Sequence, residues 1–396
     1  MRKRIIISLL CAALTTTLTA EEHNKAAVFF CRVGQMIDNI LLNGLDTNYV
    51  SLPDYSWRVA VTTGEVGLHS TYLAKSTPYL GDVKLSSLST PSLDLGFNVG
   101  YRAIGFGYSW DLMHPHSRNI NFSAGSKMFG LEFLRLRSTN FQTTAEIPSV
   151  SKEPMELDDS KVWITHTNVS FWYALNWAHY SHNAAMKQAF LQTKTAGSLL
   201  LSASYTATDI SFNDEAQMLP SLLFGVNQLT THQASLGLGY GINYTPNHGK
   251  VLLHLSATAK LVCYSINQIY YTTQDTAING YARPCYNIYP EHPVHVSGSM
   301  RAAVAWEINK YVHMSLWGQA DNVRFEAGKD EATAQFSNWN WHAYLNVAFR
   351  FGVGKKRVRQ IVQEADAYIA PSVDSPEKHT TKLPRWVTDY FFSSRM

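Results

Sequence analysis

The densest group of reactive residues in this 396-residue chain is His179-Tyr180-Ser181-His182-Asn183-Ala184. A serine hydroxyl becomes a nucleophile when a neighbouring imidazole takes its proton, which is the arrangement acyl transfer needs. On a strand, the single residue between His179 and Ser181 would put both side chains on one face. The remaining close histidine pairs, His114-x-His116 and His292-x-x-His295, have no cysteine or second histidine pair nearby to complete a zinc site. No phosphate-binding loop occurs, and no Gly-x-Gly-x-x-Gly stands between a strand and a helix. The sequence therefore names no catalytic residue, no metal ligand and no cofactor, and it leaves binding residues unassigned.

A second chemically capable set is Asp94, Asp111, His254, Lys260, Arg301, Glu307, His342 and Arg350. Each falls on the polar side of a run that alternates apolar and polar residues. Leu93, Leu95, Phe97, Val99 and Tyr101 alternate with Asp94, Gly96, Asn98 and Gly100. Ile104, Phe106, Tyr108, Trp110 and Leu112 repeat the pattern, as do Leu236 to Tyr244, Val251 to Leu261 and Trp341 to Phe351. A soluble sandwich would carry many Lys and Glu on its polar face. Here that face is Gly, Ser, Asn and His, which suits a crowded lumen. Charged groups cost several kcal/mol in lipid, so the eight named above are expected to point inward, with acids and bases pairing across the lumen. A barrel of about twelve strands is expected to be filled or narrow.

Less regular segments at about 57–64, 118–125, 128–138, 161–175, 197–212, 295–308 and 310–321 bring the expected count to about twelve. Long connections are expected on the outside at 65–90, 139–160, 213–232, 263–294 and 322–335, with a short one at 113–118. Tight turns are expected on the periplasmic side at Arg102, Ser126, Thr245–Lys250 and Asn309–Lys310. The connection 176–195 does not fit: it is long where its counterparts are short, so it reads as a periplasmic excursion or a missed strand pair. The loop 263–294 carries six tyrosines, Tyr264, Tyr270, Tyr271, Tyr281, Tyr286 and Tyr289, and suits either recognition or self-packing. Export permits a Cys263–Cys285 bond across it; two unpaired cysteines are the alternative.

Arg2, Lys3 and Arg4 precede an apolar run from Ile5 to Leu14 and a Thr-rich stretch ending at Ala20, the form of a secretory signal peptide. Leu18 is larger than the peptidase prefers at that position. Removing 1–20 takes three positive charges from a chain of net +3, leaving a mature charge near zero. That excludes a basic nucleic-acid binder. No later run is apolar enough for a transmembrane helix. Charged residues are only 16% and aromatics 12%, the mix a lipid-facing wall with aromatic girdles requires. Phe29, Val33, Met36, Ile37, Ile40 and Leu41 follow a helical period within 24–44. Residues 355–396 read as a basic, proline-containing linker ending in Trp386, Tyr390, Phe391 and Phe392.

Three pieces carry a family resemblance: Asp46-Thr47-Asn48-Tyr49-Val50; the hairpin Leu95 to Tyr101 followed by Gly105-Phe106-Gly107-Tyr108-Ser109; and Tyr180-Ser181 with Ala184-Ala185 and Ala196-Gly197-Ser198. Together they resemble an uncharacterised outer-membrane protein family of Bacteroidota, domain-of-unknown-function family 4421, over about residues 45–353. The resemblance implies a barrel in the outer membrane and brings no activity with it. His179 to Ala184 also resembles the His-x-Ser-Asn-Ala signature of outer-membrane lipid A deacylases, except that His182 interrupts the Ser-Asn step. The topology also sets this segment at the periplasmic end, whereas those enzymes act on outer-leaflet lipid.

The expected architecture is thus all-β: a transmembrane antiparallel barrel of about twelve strands in the cell outer membrane. Its parts are a signal peptide (1–20), a periplasmic helical segment (21–45), the barrel (46–354) and a periplasmic tail (355–396). The expected partners are outer-membrane lipids and the barrel-assembly machinery, with no nucleic acid and an unidentified external ligand. The expected role is a non-enzymatic small-solute pore or surface-contact module, with a lipid-modifying acyl hydrolase as the alternative.

Overall fold

The computed structural model describes residues 20–77, 81–114, 116–139, 141–157, 162–212, 226–246, 250–271, 273–275, 280–282, 285–288, 294–329, 332–352 and 354–369. The alternating runs become strands whose apolar residues face out and whose small or polar residues face in. In chain order these are β1 (Trp57–Thr77), β2 (Asp94–Tyr101), β3 (Ile104–Asp111), β4 (Arg118–Gly125), β5 (Phe129–Ser138) and β6 (Val162–Ala174). They continue as β7 (Ala196–Phe212), β8 (Val226–Tyr244), β9 (Val251–Tyr271), β10 (His295–Glu307), β11 (Val312–Lys329) and β12 (Ala332–Phe351). Each pairs antiparallel with its neighbours in sequence, and β12 returns to β1 from Trp57↔Phe351 to Ala74↔Ala334, so the ring of twelve strands is closed.

The outer wall is apolar. Phe97, Phe106, Phe122, Leu131, Leu238, Leu255 and Leu316 are all exposed, an arrangement stable only against hydrocarbon. Where the chain enters and leaves the barrel, Trp57 packs on Tyr101 and Phe351 as part of an aromatic girdle. The wall facing inward is polar: Asp94, Asn119, Asn243, Asn267, His166, His254 and His342 are buried there. A closed barrel with that distribution belongs in the outer membrane. With an even strand number the first strand begins and the last strand ends at the same rim, the rim of the short turns, which in bacterial barrels is the periplasmic one.

The strands are longer than the alternation indicated. β1 and β9 have 21 residues and β12 has 20, against the roughly 9–11 that cross a bilayer. Much of the expected loops 65–90 and 322–335 is therefore strand rising above the membrane, with Glu65, His69, Thr71 and Lys75 on the outer face of upper β1 in place of a continuous apolar row. β2 to β4 have only 8 residues each, and added strands complete the wall above them. Gly81–Ser89 pairs with upper β1, Phe141–Glu146 with Gly81–Ser89, and Met155–Glu156 with Phe141–Glu146. Leu68, Val83, Phe141, Ile147, Ile164 and Phe336 pack together into an apolar core inside this outer half. The Cys263–Cys285 bond is absent: Cys263 is a free thiol at a register shift in β9, while Cys285 pairs opposite Tyr270, seven positions along that strand. At about 3.3 Å per residue that exceeds a disulfide's reach. Tyr264 and Tyr270 belong to β9; the side chains of the other four loop tyrosines lie outside the described residues.

Two helices outside the barrel form a compact unit of their own. α1 (Ala20–Leu42) and α3 (Lys355–Ile369) meet through Cys31, Ile361 and Val362, with Val28 and Val358 packed against them. Residues 355–369 are thus a helix where a linker was expected, because Val358, Ile361 and Val362 share one face at helical spacing. Trp386 to Phe392 lie outside the described residues.

Candidate functional site

The connection between β6 and β7 makes no excursion into the periplasm. It folds inward. After a turn at 175–179 it forms the short helix α2 (His182–Met186), and Tyr180 to Met186, Ala189 and Phe190 are all buried. Leu191 and Gln192 then pair with Ser51 and Val50 of the segment leading into β1. Segment 176–195 therefore plugs the periplasmic half of the lumen, and two of the motifs that carried the family resemblance, Asp46 to Val50 and Tyr180-Ser181, meet in its floor. Backbone and side-chain bonds join the first of these to the residues flanking the second: Asp46 N–H to the Ala178 carbonyl at 3.0 Å and Thr193 Oγ1 to the Asn48 carbonyl at 2.6 Å.

Glycine on the wall admits the plug. A Cβ on Gly241 of β8 would fall on the Tyr180 hydroxyl, and one on Gly125 of β4 would lie 2.6 Å from Asn183 Nδ2. Asn243 of β8 organises the next layer. Its amide donates to the Ser181 carbonyl (2.9 Å) and to Gln192 Oε1 (3.1 Å), and its oxygen accepts from His254 Nδ1 (2.8 Å). Gln192 completes the net by accepting from the Ser181 N–H and donating to the carbonyls of His179 and Lys194.

A charged pair of the wall meets the plug from both sides. Glu132 of β5 binds Arg301 of β10 at 2.8 Å, with side chains only 15% and 12% exposed, and Lys187 of the plug approaches the same carboxylate at 4.0 Å. Arg301 also donates to His182 Nε2 (3.2 Å), so that nitrogen is an acceptor and His182 is neutral, its Nδ1 bonded to the Tyr180 hydroxyl (3.1 Å). Burial, with His254, Arg301 and Lys187 close by, holds the His182 pKa well below its usual value. Gln188 Nε2 reaches the Met314 carbonyl of β11 at 3.2 Å. Two small chambers flank the plug. One, about 50 Å³, is bounded by Arg58, Asn98, Asn119, Lys187, Trp317 and Tyr344; the other, about 40 Å³, by His182, Ser204, Ser256, Thr258, Lys260 and Arg301. Each is large enough for a few water molecules.

The eight charged or titratable residues read as inward all lie on the inward side. Four of them lie in three ion pairs: Arg301 with Glu132, Lys260 with Asp321 (3.1 Å) and Arg350 with Glu307 (3.0 Å). Asp94 accepts from Tyr344 and Ser109, and Asp111 holds His114 at 2.6 Å in the short outer turn. The proposed serine dyad is not assembled. His179 uses its two nitrogens on Asn176 and Asp46, and His182 uses its own on Tyr180 and Arg301. Among the described residues no group of three or more His, Cys, Asp or Glu is placed to hold a metal. The sequence reading missed Glu132, Lys187 and Asp321. Glu132 and Asp321 sit at inward parity on irregular strands. Lys187 sits in the one connection whose length broke the pattern, and that misfit was the available signal.

A sequence profile of the family described as "Domain of unknown function (DUF4421)" matches residues 45–351. No curated protein matches the chain. Among solved structures it is similar to the outer membrane protease OmpT from Escherichia coli, with 9% identity, 76% of this chain and 98% of that one covered, and a TM-score of 0.37. It is also similar to the translocator domain of autotransporter NalP from Neisseria meningitidis (12% identity, 83% and 98% covered, TM-score 0.33). The outer membrane protein OprG from Pseudomonas aeruginosa gives 8% identity, 76% and 98% coverage and a TM-score of 0.28. Likenesses this distant carry no argument about activity.

Proposed function

The chain belongs to the DUF4421 family, whose description assigns no activity, and from that premise we propose a non-enzymatic small-solute pore that segment 176–195 holds shut at rest. The observation that carries this reading is the chemistry of the plug's seat. The contacts of Ser181, His182, Asn183, Lys187 and Gln188 with the wall are hydrogen bonds and ion pairs, which water can replace as the segment leaves. The wall it would uncover, with Ser204, Ser256, Thr258, Asn98 and Asn119, is polar and favours passage of hydrated solutes. The test is conductance in planar bilayers of the intact protein and of a variant in which residues 180–190 are replaced by a short Gly-Ser turn. The expected result is a silent intact protein and a conducting variant with the same heat-dependent mobility on gels.

A second reading has its own observation. The outer half holds an apolar core built from added strands and barrel wall, including Leu68, Val83, Phe141 and Phe336, which could serve as a platform facing outward. If the plug-deleted barrel is folded and still silent, that core is a permanent wall and the protein is a surface-contact module.

A further inference from the structure

Three arginines stand together on the outside of the barrel, just above its apolar belt. Arg118 of β4 lies directly opposite Arg137 of β5, and Arg135 is two residues from Arg137 on the same face, opposite Ile120. Arg118 and Arg135 are exposed; Arg137 is half-buried with its guanidinium 4.7 Å from the Trp163 ring. Like charges opposite each other destabilise a strand pair, and a cation on the lipid face is tolerated only near the membrane boundary. Among the described residues no carboxylate forms an ion pair with any of the three. The acid on the same row, Asp209 of β7, lies within electrostatic range of Arg135 but forms no ion pair with it, and is hydrogen-bonded to Gln228 (3.0 Å) and Ser211 (3.3 Å).

The level of the cluster follows from its neighbours. Toward the periplasm the outward residues are Phe133, Leu131 and Phe129 on β5 and Ile120 and Phe122 on β4, so the arginines cap an apolar belt at its outer rim. One residue pair below Arg135 runs the row Phe133↔Val169↔Tyr205↔Ala234. There the wall is indented by an apolar groove of about 350 Å³, lined by Leu131, Phe171, Ala203, Tyr205, Leu236 and Cys263. The small side chains of Ala203 and Ala234 make the hollow, and the larger ones form its banks.

We propose that this face binds a phosphorylated, multiply acylated glycolipid of the outer leaflet, with its phosphate on Arg118, Arg135 and Arg137 and one acyl chain in the groove. Guanidinium groups bind phosphate through paired, charge-assisted hydrogen bonds, which relieves the repulsion between the three. A lipid in that leaflet brings its phosphate to the rim and its chains to the belt below. The site is independent of the plug and of conduction.

The test uses the full-length protein in a non-ionic detergent and native mass spectrometry with three probes: phosphorylated lipid A, lipid A of the same acylation with its phosphates removed, and inorganic phosphate. The expected result is binding of phosphorylated lipid A at least about tenfold tighter than of the dephosphorylated form. The combined variant Arg118→Gln, Arg135→Gln, Arg137→Gln should abolish that preference while keeping the heat-dependent gel mobility. If it does not fold, Arg135→Gln alone should reduce the preference by about threefold. Ala203→Trp, which fills the groove, should weaken both lipids equally. Equal binding of the two lipids by the intact protein, or an unchanged preference in the arginine variants, overturns the proposal. Inorganic phosphate binding as tightly as phosphorylated lipid A overturns the glycolipid assignment in favour of a bare anion site.

Discussion

The lumen is packed at two levels, by opposite chemistry. In the outer half, Leu68, Val83, Ile164 and Phe336 meet as in the core of a soluble protein. In the periplasmic half, Tyr180 packs on Trp172 and Leu200, but His182, Lys187 and Gln188 meet the wall through an arginine, a carboxylate and a backbone carbonyl. The apolar closure gains from excluding water and has no replacement for its contacts once opened. The polar closure exchanges protein partners for water partners, and each exchange is close to neutral when all groups stay bonded. The two halves should therefore fail under different perturbations. The reporter for the plug is a single cysteine at buried Met186, with the native cysteines changed to serine. Its labelling rate in liposomes reads local opening.

The largest effect is expected from Phe336→Ala. Truncating this fully buried ring should cost the outer half about 3–5 kcal/mol through lost burial and a cavity. External protease should then cut the 139–157 region faster, while labelling at position 186 stays unchanged. Parallel increases in both would mean that the two closures are one cooperative unit. Next is Glu132→Gln, which leaves Arg301 and Lys187 buried without their carboxylate. Removing one partner of such a pair costs about 3 kcal/mol, or on the order of 100-fold in labelling rate. Here the outer half should keep its protease resistance. Adding Arg301→Gln should restore part of the loss, since the stranded cation is then gone.

Much of this was legible in the sequence, and the reason is the period of two. Wherever one face meets lipid and the other a polar lumen, the alternation gives the strand, its parity and the inward direction of Asp94, His254, Arg301 and Arg350. The pattern fades where the wall leaves the membrane, because residues such as Thr71, Ser337 and Asn322 are acceptable in water on either face. Upper β1, β11 and β12 were hidden for that reason. The plug was hidden for another. Segment 176–195 is polar, and a polar connection reads the same whether it lies in the periplasm or in a polar lumen. Only its length marked it. Lys355 to Ile369 was masked by its basic start, which resembles a linker until Val358, Ile361 and Val362 are seen to share a face.

A smaller perturbation tests the fit of plug to wall. Gly241→Ala places a methyl group on the Tyr180 hydroxyl and should loosen the plug by about 1–3 kcal/mol, the usual cost of overpacking. Tyr180→Phe removes the colliding oxygen and should recover part of the loss in the double variant. Labelling at position 186 measures both. No recovery would mean that the strain is absorbed by β8 and not by the plug.

The smallest effect concerns pH, and its sign follows from His182. Docked, this ring accepts from Arg301 and sits near His254 and Lys187, so burial and neighbouring positive groups keep it neutral. Displaced into water, it would titrate near the ordinary value of about 6.5. Above that pH both states are neutral and docking has its full strength. As pH falls below it, the displaced plug takes up a proton that the docked plug refuses, so docking weakens by at most about 1.4 kcal/mol per pH unit. Labelling at position 186 should rise as pH is lowered from 8 to 5. His182→Gln keeps a side-chain amide for Tyr180 and Arg301 but cannot titrate, so it should flatten the slope. The outer half, with no histidine in its apolar core, should keep its protease resistance across the same range. An equal slope in the intact protein and in His182→Gln would assign the pH response to the wall histidines, His254 first, and leave the plug's own ring a structural acceptor.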